Sequence, residues 1–178
     1  NSAVGTYLIQ LARKQGIKTV NIVRRESAVE GVKAVGGDVV LVDGPDLPQR
    51  IREATGKAKI RLAIDAVGGE VSGRLADSLC RGGTVVAYGA LAAKPFKISP
   101  NALIFSDVTL KGFWLAHWFR NATPVEQMKV YGAVGALVAD GTLKAAVDST
   151  YPLENFAEAA ARAAAGGRDG KVLFVGKE

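Results

Sequence analysis

The sequence predicts an α/β protein whose doubly wound parallel sheet carries helices on both faces. Apolar runs of strand length alternate with helical stretches of about 10–15 residues, the pattern of strands joined by crossover helices. Runs such as LAIDAV and TVVAYG are apolar almost without interruption, as expected of strands buried on both sides. Abundant glycine, 21 residues of 178, and alanine-rich helices suit close packing of helix on sheet.

Each element follows in order. Val4, Leu8, Leu11 and Ala12 recur at helical spacing, which predicts a helix over Val4 to Gln15, stopped by Gly16. Lys18 to Arg24 reads as a short buried strand, Ser27 to Val35 as a helix ended by Gly36-Gly37, and Asp38 to Val42 as the next strand. A helix over Pro45 to Thr55, a strand over Leu62 to Val67, a helix over Gly69 to Cys80 and a strand over Thr84 to Tyr88 continue the alternation. After a less regular stretch with Pro95 and Pro100, Val108 to Trp114 reads as a strand. Val125 to Ala139 is expected to be a long amphipathic helix. The tail from Gly141 holds an extended run (Ala145 to Tyr151), a helix (Leu153 to Ala165) and a strand (Lys171 to Val175). That tail is too short to fold alone, which divides the chain into 1–140, a nucleotide-binding domain, and 141–178, a C-terminal segment.

Composition narrows the function classes. With 48% apolar and 22% charged residues the chain has the balance of a soluble globular protein. A net charge of +6 favours anionic ligands such as nucleotides, coenzyme A or an acidic carrier; a solvated basic surface is the other reading. The basic residues are scattered and no nucleic-acid motif accompanies them, so no nucleic-acid partner is expected. One cysteine, Cys80, and one histidine, His117, exclude an internal disulfide and a four-ligand Cys/His zinc site within this segment. The single cysteine agrees with a reducing compartment, and no apolar run approaches the ~20 residues of a membrane span.

The first turn has the pattern of a phosphate site. Ser2-Ala3-Val4-Gly5 fits the last four places of G-x-G-x-x-G, with Ser2 where the second glycine usually stands. In that reading Asn1, Ser2 and the N–H groups of Ala3 and Val4 face phosphate oxygens at a helix N-terminus, and Gly5 lets the helix press on the sheet. A plain helix cap is the alternative. Arg24 and Arg25 follow Gly5 by 19 and 20 residues, where an acid would bind the ribose of NAD. A carboxylate there repels a 2′-phosphate, whereas arginine binds one with its planar fork, so NADP(H) is expected. A solvated basic turn is the alternative, and Glu26 is expected to begin the next helix.

The stretches NSAVG, TVNIVRRE, LAIDAVGG, LCRGGTVVAYGALA and LIFSDVTLKGFWLAHW together resemble the zinc-independent branch of the medium-chain dehydrogenase/reductase superfamily. Within it the chain is most similar to trans-2-enoyl-thioester (enoyl-CoA) reductases of mitochondrial type, with quinone oxidoreductases next. The resemblance implies a Rossmann-like sheet that lacks its first strand here, with a tail that packs on a GroES-like catalytic domain absent from this chain. It places Tyr88, Gly89 and Ala90 beside the nicotinamide half of the cofactor, with Gly89 allowing close approach of the ribose. It sets Phe113, Trp114 and Leu115 at the carboxamide, with Trp114 bordering the acyl pocket; ordinary core packing is the alternative for both aromatics. Lys171 falls near the active cleft, or is simply a surface lysine opening a strand. Asp65 is read as a structural hydrogen-bonding residue. No catalytic residue is assigned, because the family's proton donor, a tyrosine, belongs to the absent domain.

The implied reaction is NADPH-dependent reduction of the double bond of a 2-enoyl thioester of coenzyme A or a carrier protein, without a metal. NADPH:quinone reduction and a non-catalytic NADPH-binding role are the rivals. The resemblance also implies a homodimer formed through the edge strand Val108 to Trp114, no membrane association, and a cytoplasmic or, in a eukaryote, mitochondrial-matrix location. This segment alone is expected to be inactive.

Overall fold

The computed structural model describes residues 2–165, 167–168 and 170–176. In chain order the elements are α1 (Ala3–Lys14), β1 (Val20–Val23), α2 (Val29–Ala34), β2 (Val39–Val42), α3 (Leu47–Ala54), β3 (Leu62–Asp65), α4 (Glu70–Asp77), β4 (Thr84–Ala87), β5 (Thr109–Gly112), α5 (Leu115–Asn121), α6 (Pro124–Ala139), β6 (Val147–Pro152), α7 (Phe156–Ala164) and β7 (Lys171–Val175). The alternation read from the sequence is therefore present, and the fold is α/β and Rossmann-like. The strands form three short sheets, β1-β2, β3-β4-β5 and β6-β7, rather than one. In the doubly wound order the strand leading into α1 separates the strands equivalent to β1 and β3, and among the described residues α1 is the first element.

The chain divides into two compact units, residues 41–131 and residues 1–40 with 132–178. In the 41–131 unit, β3, β4 and β5 run parallel in register, Leu62 beside Thr84 and Thr84 beside Thr109. One face of this sheet is covered by α4. There Val85 and Ala76 pack with Ala102 and Val108, and with the partly buried Ala63, Leu79 and Ile98. Helix α3 buries Leu47 and Ile51, one turn apart on one stripe; full burial of such a side chain is worth roughly 1.5–3 kcal/mol. Arg74 on α4 holds the carboxylate of Asp43 with two parallel bonds of 2.8 and 2.6 Å. The bond to Asp43 keeps the guanidinium charged and raises its pKa above the usual arginine value.

Burial on both sides, expected of LAIDAV, is not found. Ala63 and Asp65 face inward, whereas Leu62 (55% exposed) and Ile64 alternate outward, and all of β5 is exposed. The expected strand Val108 to Trp114 shortens to β5. The helix α5 follows within two residues, and the irregular stretch before it contains one π-helical turn, Asn101–Phe105.

In the other unit, α1 buries Ile9 and is tied to the 140–144 turn. Lys14 bonds Asp140 at 2.6 Å and Thr142 at 3.1 Å, and the Gln10 amide donates to the Lys144 carbonyl and accepts its N–H. Asp38 accepts the Thr19 backbone N–H and hydroxyl, which hold its carboxyl below the usual range. A 3-10 turn, Glu26–Ala28, precedes α2, so the helix expected from Ser27 starts at Val29. β6 and β7 are parallel, α7 buries Ala159, and Phe156 stacks on Phe174 at 6.3 Å. Helix α6 departs from expectation: apolar residues surround it, and none of its residues is buried.

Candidate cofactor-binding site

Two sets of predicted residues lie in different units. The first is the turn before α1. Asn1 lies outside the described residues. Ser2 is the N-cap: its Oγ accepts the Gly5 N–H at 3.0 Å and its carbonyl accepts the Thr6 N–H at 3.1 Å. The cap reading thus accounts for the accepting role of the Ser2 hydroxyl, while its own proton remains a donor. Helix geometry leaves the N–H groups of Ala3 and Val4 without intrahelical acceptors, and the first turn carries no acid. These groups, with the positive end of a 12-residue helix, suit an anion. A Cβ on Gly5 would meet the Ser2 Oγ at 3.2 Å, so glycine leaves room for the cap.

Arg24 and Arg25 leave β1 exposed. Arg25 is extended (φ −141°, ψ 143°) and caps the 3-10 turn that Glu26 begins, as expected for that acid. Among the described residues neither arginine forms an ion pair. Two guanidinium groups thus stand without internal carboxylates at the place where the sequence expects a 2′-phosphate. Lys171 is exposed and opens β7, its N–H bonded to the Ala146 carbonyl at 2.8 Å, which is the placement of a surface lysine at a strand start.

The second set gathers at the carboxyl ends of β3, β4 and β5, the edge of an open α/β sheet where ligands bind. Asp65, nearly fully buried, locks the turn after β3. Its carboxylate accepts the N–H groups of Val67 (2.7 Å) and Gly68 (3.3 Å) and the Ser72 hydroxyl (2.5 Å). The structural duty read for Asp65 is what these bonds show. Tyr88 donates its N–H to the Asp65 carbonyl at 2.9 Å, Leu91 to Ala66 at 3.1 Å and Phe113 to Ala87 at 2.8 Å. The loops 65–68 and 87–91 and the chain at 113 are therefore fixed in one row, which brings Tyr88, Gly89 and Ala90 beside Phe113, Trp114 and Leu115.

A Cβ on Gly89 would meet the Ala66 carbonyl oxygen at 2.8 Å, so contact between the two loops by itself requires glycine there. Phe113 and Trp114 are 46% and 62% exposed, so core packing does not explain them in this chain. The sequence reading also missed Arg120, whose Cζ lies 4.8 Å from the centroid of the Trp114 ring. The pair spans six residues across a helix start that composition does not show.

Among the described residues no group of three His, Cys, Asp or Glu could hold a metal ion. The Asn121 amide nitrogen lies 3.3 Å from both ring nitrogens of His117 and donates to the His117 carbonyl at 2.7 Å.

Residues 3–132 match the family model described as zinc-binding dehydrogenase. The chain belongs to this family. Its name states a property of the family and fixes no ligand here. Over 182 residues the chain is 33% identical to the mitochondrial enoyl-[acyl-carrier-protein] reductase of Dictyostelium discoideum, covering 98% of itself and 51% of that protein. The chain thus spans about half the length of the curated relatives it matches. A mycobacterial quinone oxidoreductase superposes with a TM-score of 0.85 at 26% identity, over 96% of this chain and 53% of that one. The Etr1p complex with NADP and crotonyl-CoA shares the fold, with a TM-score of 0.79 at 22% identity, over 98% and 51%. The fold shared with these proteins accounts for the strand–helix alternation read from the sequence, and the resemblance to the medium-chain dehydrogenase/reductases is borne out.

Proposed function

We propose that the protein is an NADPH-dependent reductase of 2-enoyl thioesters and that this chain is its cofactor-binding part. The observation that carries the cofactor choice is the pair Arg24 and Arg25, exposed at the end of β1 without an internal carboxylate. The kinship with enoyl-[acyl-carrier-protein] reductases supports the substrate.

Each unit carries residues suited to one part of a dinucleotide. Ser2, with the N–H groups of Ala3 and Val4, would hold the pyrophosphate, and Arg24 and Arg25 the 2′-phosphate. Tyr88 to Ala90 and Phe113 to Leu115 would border the nicotinamide end, with Trp114 walling the acyl pocket. Lys171 is assigned a cofactor contact on the resemblance alone. When bound, NADPH supplies the hydride that goes to the β-carbon, after which the α-carbon takes a proton. The chain's share is orientation: Asp65 and Ser72 fix the turn that in turn fixes the 87–91 loop, which keeps the cleft edge rigid. No group of this chain is assigned the proton. We assign it to a substrate-binding domain on which the tail 141–178 packs, a reading supported by the exposed Leu153, Phe156, Phe174 and Val175. Within this chain one Cys and one His cannot supply a four-ligand Cys/His zinc site.

We further propose a homodimer joined along β5, whose edge is exposed, and a mitochondrial-matrix location in a eukaryote, after the mitochondrial relatives. Quinone reduction is the second reading, favoured by the TM-score of 0.85 to a quinone oxidoreductase. NADPH oxidation by the full-length protein, with crotonyl-CoA and a simple quinone side by side, decides between them. Fast thioester turnover with little quinone turnover is expected. Quinone turnover alone moves the protein to the neighbouring activity, and NADPH binding without either leaves a non-catalytic role.

A further inference from the structure

We propose that Arg120, held on the Trp114 ring, is the anchor for the 4′-phosphate of a phosphopantetheine arm. The inference rests on the enoyl-thioester reading and names the part of the substrate that this corner of the site grips. β5 ends at Gly112, Phe113 is tied to Ala87, and Trp114 is the N-cap residue of α5 with its ring exposed. Arg120 returns from the far end of that helix to place its guanidinium over the ring. An exposed contact of this kind contributes about 0.5–1 kcal/mol, which biases the guanidinium toward the Trp114 ring without fixing it there. Stacking uses the face of the guanidinium and leaves its in-plane N–H donors for an anion.

No acid competes for those donors. Among the described residues Arg120 forms no ion pair, and the sequence has no carboxylate between Asp107 and Glu126. Glu126 itself is engaged: its Oε2 accepts the Thr123 N–H at 2.7 Å and hydroxyl at 2.8 Å, which hold its carboxyl below the usual range. A stacked, acid-free arginine beside the wall of an acyl pocket is the donor set that binds phosphate bidentately. Coenzyme A and an acyl carrier protein share such a phosphate on the arm that bears the thioester.

The test uses the full-length protein and its Arg120→Gln and Arg120→Lys variants. Binding of 4′-phosphopantetheine and of pantetheine is titrated first, because it needs no turnover. The wild type is expected to prefer the phosphorylated arm, and Arg120→Gln to lose that preference, roughly tenfold or more as for a hydrogen bond to a charged group. Arg120→Lys recovers part of it, keeping charge without the fork. Equal binding of the two arms by the wild type, or an unchanged preference in Arg120→Gln, overturns the proposal. KM is then compared for crotonyl-CoA, a crotonyl carrier protein and the crotonyl thioester of N-acetylcysteamine. A rise for the first two with the third unchanged marks the shared phosphate, and a rise for crotonyl-CoA alone assigns the site to the free coenzyme. A rise for all three overturns the anchor. Failure to reduce any thioester refutes the enoyl reading itself, which the binding titration leaves separate.

Discussion

At the scale of single residues, the cofactor choice depends on Arg24 and Arg25. Charge-assisted hydrogen bonds contribute about 1.5–3 kcal/mol each, so removing one guanidinium weakens NADPH binding roughly tenfold or more and leaves NADH untouched. Arg24→Ala and Arg25→Ala are expected to raise KM for NADPH with little change in kcat. Steady-state kinetics with both cofactors checks this, and an equal loss for NADH would sink the assignment. Gly89 makes a contrasting prediction. A methyl group at that position meets a backbone oxygen at 2.8 Å, and backbone cannot swing aside as a side chain can. Gly89→Ala should therefore lower the melting temperature even without cofactor, by an amount typical of overpacking, about 1–3 kcal/mol. A variant as stable as the wild type would remove the loop contact as the reason for glycine at 89. Ser2→Ala removes the acceptor of the Gly5 N–H and should cost about 1 kcal/mol, with Ser2→Gly costing a few tenths.

At the scale of elements, the α1 tie to the 140–144 turn carries a pH signature. Lys14, 2.6 Å away, and then Thr142 hold the Asp140 carboxyl at about 2, against an ordinary value of 3.8. A folded-state pKa below the unfolded one adds stability that is fully present above about 3.8 and is lost as pH falls toward 2. Asp140→Asn should melt lower than the wild type at pH 5–7, and the difference should close between pH 4 and 2. A constant difference across thermal melts in that range would mean that the tie is not ionic. Elements also show what was legible. Val4 to Gln15 was readable because its apolar stripe has a helical period and Ser2 and Gly16 punctuate it, and β7 was readable because Gly170 releases a short apolar run, Val172 to Val175. α5 was not: Phe113, Trp114, Trp118 and Phe119 favour strands by local preference, and the sequence reads on from β5 without a breaker. α6 kept its length but not its amphipathic stripe, because Ala, Val and Gly surround it and no polar face sets a direction. In the candidate site Arg24 and Arg25 stand out by their spacing from Gly5, while the contacts of Gly5 with Ser2 and of Gly89 with Ala66 do not, since spacing does not encode them.

At the scale of the whole molecule, the proposed homodimer rests on the open edge of β5. β5 pairs with β4 on one side only, and its four residues are exposed. Thr109 and Phe113 donate their N–H groups inward, to Gly83 and Ala87, so strand alternation turns the N–H groups of Leu110 and Gly112 to the open edge. An edge of this kind, with Lys111 as its single charge, is a template for a second strand. Leu110→Pro deletes one outward donor without removing a β4–β5 bond, and edge strands tolerate proline at such positions. Leu110→Ala controls for the lost side chain. In light scattering at micromolar concentration the full-length wild type and Leu110→Ala are expected to have the mass of two chains, and Leu110→Pro the mass of one with its NADPH affinity retained. A wild type that stays monomeric as concentration rises would remove the edge from the argument. Its exposed apolar residues, Leu110 with Leu62 and Ile64 on the same sheet, would then need another cover.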